Sequence, residues 1–355
     1  MNKKALIAMS GGVDSSVAAL LMKEKGYDCI GATMRLFYNE DAGIPHGKAC
    51  CSLDDTEDAR SVACSLGMPY YVFNFTDDFR SQVIDRFISA YESGATPNPC
   101  IDCNRYMKFD KLYQRAVMLG CGCVATGHYA RIEKENGRYL LKKAVDGTKD
   151  QSYVLYFMTQ EQLAHTQFPL GNMRKAEIRD IAEAHSFVNA QKHESQDICF
   201  APDGDYAKVI ETHMSKTYPR GIFVDRSGNI LGEHKGIIHY TIGQRKGLGL
   251  SLREPMYVCE KNAAYNTVTL GRNENLFSTE LDAVGFNWIA FENPPGAMRV
   301  KAKVRYRQTE QWATAAPTGA GSIHLIFDEP QRAIAKGQAV VLYDGDTVVG
   351  GGMIY

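Results

Sequence analysis

Ala5-Leu-Ile-Ala-Met-Ser-Gly-Gly-Val-Asp-Ser15, running on into Ser16-Val-Ala-Ala-Leu-Leu-Met-Lys23, is the stretch on which the fold turns. The apolar run Ala5–Met9 reads as a strand. Gly11-Gly12 reads as a turn, and Ser15 to about Lys25 as a helix with Val17, Leu20 and Leu21 on its inner face. A strand that enters a helix through two glycines lets the backbone approach an anion closely. The hydroxyls and unpaired amides at the helix start then donate to it. A lone Gly-Gly would be only a tight turn, but serines at both ends and an aspartate inside favour a phosphate. No lysine precedes Ser15, so this is not a Walker A loop.

Downstream, short apolar runs alternate with amphipathic stretches. Cys29–Met34, Tyr70–Phe75 and Gly122–Thr126 read as strands. The segments 54–66, 78–91, 109–118 and 174–185 read as helices, with a further one at 151–159. Strand and helix in alternation predict a doubly wound, parallel-sheet α/β domain. Arg131–Leu141, centred on Asn136-Gly137, reads as a β-hairpin. After a last helix near Tyr206–His213 the punctuation becomes that of hairpins, as in Arg226-Ser-Gly-Asn229 and Asp344-Gly-Asp346. The expected organisation is this α/β domain over 1–204, a central β-rich domain over 205–275 and a C-terminal β-barrel over 276–355, the two β modules both read as small barrels.

The chain has 355 residues, 45% of them hydrophobic, with 40 Lys and Arg against 41 Asp and Glu. That is globular composition, without the roughly 18-residue apolar run of a membrane span. A net charge of −1 means that a nucleic-acid partner must be held by local patches. Eight of the ten cysteines lie at or before Cys123, followed by Cys199 and Cys259. This uneven usage suits a reducing cytoplasm and a few working thiols, not a disulfide scaffold.

Two cysteine contexts stand out: Thr96-Pro-Asn-Pro-Cys-Ile-Asp-Cys-Asn104, followed by Lys108-Phe109, and Ser195-Gln-Asp-Ile-Cys-Phe200. With them go Ala125-Thr-Gly-His-Tyr129, Lys149-Asp-Gln-Ser-Tyr153, Phe168-Pro-Leu-Gly171, Tyr240-Thr-Ile-Gly-Gln-Arg-Lys-Gly247, Val304-Arg-Tyr-Arg307 and Gly350-Gly-Gly352. The glycine loop resembles the PP-loop of ATP pyrophosphatases. The whole set, in this order along the chain, resembles the bacterial tRNA-specific 2-thiouridylases.

The resemblance implies an ATP- and Mg2+-dependent tRNA-uridine 2-sulfurtransferase. Its substrate is the wobble uridine of the tRNA anticodon stem-loop, and its sulfur comes from a persulfide donor, a cysteine desulfurase or relay protein. It places Ala8, Met9, Ser10, Gly11, Gly12, Val13, Asp14 and Ser15 around ATP, with Met34 by the adenine and Gly127 allowing close approach. It makes Cys199 the persulfide carrier and Cys103 the nucleophile, joined at the end in a transient disulfide. Asn98, Pro99 and Cys100 line the target base, and His128, Lys149, Asp150, Gln151, Tyr306, Arg307 and Gln338 contact tRNA. Part of the family has aspartate, a proposed general acid/base, at the position of Cys100, so that role passes here to Asp102 or to no side chain. Access to C2 of the base requires flipping it out of the stack.

The residues also admit plainer readings. Cys50, Cys51, Cys64, Cys121 and Cys123 read as structural. Cys103, set among prolines, reads as a loop residue, and Tyr306 as pointing inward. Cys100-x-x-Cys103 has metal-ligand spacing, and with Cys199 an iron–sulfur cluster is an alternative; without a second such pair no metal site is assigned. A small-molecule PP-loop amidotransferase or ligase is the other alternative. It would need neither the thiol pair nor the basic run, in which Arg299, Lys301, Lys303, Arg305 and Arg307 alternate with other residues. On a strand those five cations form one row about 6–7 Å apart, close to phosphate spacing.

Overall fold

The computed structural model describes residues 3–37, 53–192, 198–201 and 203–355. The Cys50-Cys51 pair and Ser195–Asp197 lie outside the described residues. The first sheet is parallel, with strands β1 (Lys4–Ala8), β2 (Asp28–Arg35), β3 (Tyr70–Asn74), β4 (Cys123–Ala125) and, after the hairpin β5 (Ala130–Glu135) and β6 (Arg138–Lys143), the short β7 (Thr166–Gln167). Their order is β3-β2-β1-β4-β7. β1 has neighbours that follow it on both sides, so its carboxyl end is the switch point where open α/β sheets bind ligands. That end is the glycine loop.

β1 shows why the sheet is doubly wound. Ala5 and Ile7 are buried against Val17, Ala59 and Ile178 on one face, while Leu6 is buried with Phe79, Phe87 and Leu112 on the other. Side chains of a strand alternate between faces, so a strand with helices on both sides is apolar throughout. Helix α1 (Val13–Glu24) and helix α2 (Leu53–Ser65) cover the first face, with Lys175–Ala184 beside α1.

The central sheet comprises β8 (Gly221–Val224), β9 (Ile230–His234), β10 (Tyr257–Asn262) and β11 (Thr267–Gly271), ordered β10-β11-β8-β9. It is an open sheet, not the expected second barrel. Phe223, Val258, Val268 and Leu270 pack into the same core as Phe87 and Phe200. A sheet that borrows another domain's apolar surface need not close on itself to bury its face.

The C-terminal module is the expected barrel. Strands β12 (Phe277–Trp288), β13 (Met298–Lys303), β14 (Gln311–Gly319), β15 (Ser322–Arg332), β16 (Ala339–Asp344) and β17 (Thr347–Ile354) run β12-β15-β14-β13-β16-β17, and β12 pairs with β17 to close the ring. The hairpin β5–β6 appears where read, but it extends the barrel's sheet through Thr347 and Lys142.

The helix expected over 151–159 is only a 3₁₀ turn, Ser152–Leu155. Ser152 to Met158 are all buried, so no polar face exists for a surface helix, and Asp150 accepts the Ser152 amide at 3.2 Å. This segment joins the barrel to the α/β domain. Tyr153, Leu155 and Tyr156 share a core with Phe109, Val341 and Tyr343. Asn287 donates to the Tyr156 and Met158 carbonyls at 2.8 and 3.0 Å.

Gly351 is required at this junction, because a Cβ there would lie 2.6 Å from the Tyr156 ring. Gly351→Ala is expected to destabilise the protein by about 1–3 kcal/mol through overpacking. Gly319→Ala, which meets nothing within 4 Å, serves as the control in urea unfolding.

Candidate functional site

The glycine loop is held by its own serines. Ser15 Oγ accepts the Ser10 amide at 3.2 Å and donates to the Gly12 carbonyl at 2.9 Å. Gly11 sits at φ +77, and a Cβ there would press on the Asp55 backbone at the start of α2. Gly127 serves a related need, since its Cβ would fall 2.9 Å from the backbone of Asp14 and Ser15. The glycine therefore accommodates the loop's own backbone, whatever else approaches.

Asp14 is the centre of the loop's polar contacts. Its Oδ1 accepts the Tyr129 hydroxyl at 2.6 Å and the Lys175 ammonium at 2.7 Å. Asn189 donates to the Gly11 carbonyl and to Ser16 Oγ, both at 2.9 Å. Lys192 bridges Asp55 and Asp58 at 2.6 Å each. Sequence reasoning missed Lys175, Asn189 and Lys192 as parts of the site. Lys175 is 161 residues from Asp14, and no local pattern marks that meeting.

A cavity of about 1030 Å³ opens over the loop. Its walls include Ser10, Gly12–Ser15, Lys108 and Lys175 on one side, and Lys301, Lys303, Tyr306 and Arg307 of the barrel on the other. Seven Lys and Arg side chains line it against four carboxylates, on a chain of net charge −1. Polyanions are favoured where cations converge in a cleft. Lys149, Asp150 and Gln151 also line it. Asp150 braces the Ala144 and Ser152 amides, and Gln151 accepts the Tyr129 amide at 2.9 Å. Met34, at the end of β2, packs against the apolar core.

Cys103 is not on a loop. Asn98 caps a helical run, its Oδ1 accepting the Cys100 amide at 3.1 Å, with Pro99 at the first helical position. Asn followed by Pro is a helix-start signal, which the prolines' other role as breakers obscured. Cys103 opens a π-helical stretch, Cys103–Lys111, a geometry enriched at functional sites. Cys100 is exposed, and Cys103 and Cys199 are half-buried against one core cluster. Asp102 lies 3.7 Å from Arg86. Burial raises its carboxyl above the ordinary range, against the opposing pull of Arg86 and Arg105. Cys121 and Cys123 are buried, and Cys64 is exposed.

Several expected RNA contacts are placed differently. The cationic row is broken, because β13 ends at Lys303 and 304–308 form turns. Arg299 is paired with Asp328 at 2.7 Å, and Lys301 stands 5.3 Å from the Trp312 ring centre. Arg305 turns inward to donate to the Ala333 carbonyl at 2.8 Å. Tyr306 sits at the cavity wall with one side of its ring against Tyr153, their centroids 5.9 Å apart, and Arg307 beside it is exposed. Gln338 donates to the Thr96 carbonyl at 2.7 Å.

His128 is buried, and both its nitrogens are occupied within the protein. Desolvation first, and Lys108 second, hold it neutral, well below the ordinary histidine range. The Lys108 ammonium at 3.4 Å requires Nε2 to accept, so Nδ1–H donates to Thr126 Oγ1 at 2.6 Å. The ring sets Lys108 at the cavity wall.

A parallel sheet with a phosphate-type glycine loop at its switch point, two appended β modules and a basic cavity between loop and barrel defines a PP-loop nucleotide-fold protein built to take a large anionic substrate. Residues 3–203 match the model described as tRNA methyl transferase HUP domain, 207–272 its PRC-barrel domain and 278–354 the aminomethyltransferase β-barrel domain. The tRNA-specific 2-thiouridylase MnmA of Clostridioides difficile is 53% identical over 356 residues, covering 100% of this chain and 98% of that protein. That of Clostridium acetobutylicum is 50% identical, with 100% of both chains covered. The chain belongs to the tRNA-specific 2-thiouridylase family. Among solved structures, a 4-thiouridine synthetase–RNA complex with bound ATP is 17% identical over 60% of this chain and 50% of that one, at TM-score 0.36. At that distance it does not bear on the site.

The neutral burial of His128 has a consequence for stability. An unfolded histidine binds a proton near pH 6.5 that the native ring resists, so stability is full above about 6.5 and falls as pH drops below it. Urea unfolding at about pH 7.5 and about pH 5.5 should show a smaller acid-side loss in His128→Asn than in the parent protein.

Proposed function

We propose that the protein thiolates C2 of the wobble uridine in tRNA anticodons, using ATP. The observation that carries this reading is the cationic cavity shared by the glycine loop and the barrel turn at Tyr306–Arg307. One wall suits nucleotide phosphates and the other an RNA backbone, and a small-molecule ligase needs only the first.

A uracil carbonyl carbon is a poor electrophile until its oxygen becomes a good leaving group. In the reading we favour, that oxygen attacks the α-phosphate of ATP, pyrophosphate leaves, and the base carries AMP on O2. The terminal sulfur of a Cys199 persulfide adds to C2, and AMP departs with the former carbonyl oxygen. The Cys103 thiolate then attacks the Cys199 sulfur, releasing 2-thiouridine and leaving a Cys103–Cys199 disulfide that an external thiol reduces. Persulfide is restored by a donor protein, whose sulfane sulfur moves to Cys199.

The loop amides and Ser10 receive the phosphates, and Lys108, Lys175 and Lys192 add positive charge around them. The donor set fits Mg2+: the Asp14 carboxylate faces the cavity beside the loop, and a bound Mg2+ would offset the pyrophosphate's charge. Asp102, whose carboxyl burial shifts upward against the pull of Arg86 and Arg105, is the proton carrier we place next to Cys103. Asn98, Pro99 and Cys100 line the entry of the flipped base. Catalysis belongs to 1–204, with 205–275 and 276–355 docking the RNA in the cytoplasm.

Cys103→Ser and Cys199→Ser are each expected to abolish sulfur incorporation into tRNA while ATP-dependent adenylation survives, read by mass spectrometry of anticodon nucleosides and by pyrophosphate release. Full thiolation by either variant overturns the reading. Arg307→Ala should weaken tRNA binding and reduce the salt slope of log K by about 0.7–0.9, the loss of one phosphate contact. Filter binding across a salt series measures it.

A further inference from the structure

Between the helix that ends at Glu92 and the one that begins at Pro99 runs the segment Gly94–Asn98, which has no regular structure of its own. Two other modules hold it. From the barrel, the Lys336 carbonyl accepts the Thr96 amide at 2.8 Å, and Gln338 Nε2 donates to the Thr96 carbonyl at 2.7 Å. Gly337 lies between them at φ +85, where a Cβ would stand 3.0 Å from that of Ala95. From the central sheet, Lys261 of β10 donates to the Ala95 carbonyl at 3.2 Å, its ammonium 5.3 Å from the Tyr91 ring centre. Thr96 is buried, and its hydroxyl has no hydrogen-bond partner. Backbone bonds to the two β modules therefore carry the restraint. Two residues on, Asn98 caps the helical run that carries Cys100 and Cys103, so a shift of Thr96 displaces pocket and nucleophile together.

We propose that Gln338 and Lys261 are positioning residues for sulfur transfer, clamping Ala95–Thr96 from two modules so that Cys103 and the Asn98–Cys100 helix start meet the extruded uridine in register. This rests on the thiolation reading. It gives the Gln338 carboxamide a role inside the protein, at the Thr96 carbonyl.

The test uses the full chain with tRNA, ATP and a persulfide donor. Wild-type thiolation is measured first, and its absence would count against the functional reading alone. Gln338→Glu keeps the volume but sets an acceptor against the Thr96 carbonyl, and Lys261→Met keeps the stem but removes the ammonium. Each is expected to slow single-turnover thiolation at saturating tRNA on the order of 10- to 100-fold, as misplacement of a reacting group does. Dissociation constants for tRNA and ATP should stay within about twofold, the signature of a group that acts on the reaction step. The alkylation rate of Cys103 by iodoacetamide should change in both variants, and Lys261→Arg should recover thiolation. If Gln338→Glu fails to fold, Gln338→Asn, which shortens the reach without adding charge, provides the same comparison. Weaker tRNA binding with an unchanged saturated rate would show that Gln338 reads RNA directly and would overturn the clamp. Unchanged rates and unchanged Cys103 alkylation in both variants would overturn it equally.

Discussion

Burial of Tyr153–Met158 in a core shared by the α/β domain and the barrel is the constraint that creates the site. Tyr153 is fully buried and donates to the Ala339 carbonyl of β16 at 2.8 Å, while Tyr156 fills the space that Gly351 leaves open. Neither module completes this core alone, so the barrel cannot swing away without exposing several aromatic side chains to water. The orientation it imposes places the Tyr306–Arg307 turn across from the glycine loop. The cationic cavity is thus a by-product of apolar packing outside it.

Within that frame the glycine loop is held by charge as well as by shape. Lys175 and Tyr129 both engage Asp14, and Lys192 stands between Asp55 and Asp58. Side chains from distant parts of the chain thereby present cations toward the cavity with each one paired to a carboxylate. Paired charges are cheaper to hold in a partly dehydrated cleft than lone ones, and an incoming polyphosphate exchanges partners without first creating an isolated charge.

The two thiols are treated differently by their surroundings. Cys103 belongs to a π-helical stretch begun by a capped Asn-Pro start, whereas Cys199 lies in a turn that is anchored by the fully buried Phe200. The ring of Phe200 packs edge-on against Phe79 and Phe87, so Cys199 is tied to the same helices that support the sheet.

Much of the architecture was legible in the sequence because it is written in local periodicity. The strand Ala5–Met9, the helix after it, the hairpin at Asn136-Gly137 and the β character of the tail all follow from alternation and turn chemistry over a few residues. The loop's preference for phosphate and the helix-start signal at Asn98-Pro99 are local in the same sense. What pattern alone misread depended on neighbours far along the chain. Ser152–Leu155 is a 3₁₀ turn because the barrel buries it, the central sheet stays open because Phe87 and Phe200 cover it, and Arg305 leaves the cationic row for the Ala333 carbonyl. His128 is an internal ring through nearer neighbours, its nitrogens taken by Thr126 and Lys108. Sequence by itself determined the elements and the chemistry they carry, since propensity, capping and motif act within a turn or two of chain. Only the tertiary structure decided which of those groups face the cavity, because exposure and partnership are set by contacts between residues more than a hundred positions apart, as between Asp14 and Lys175.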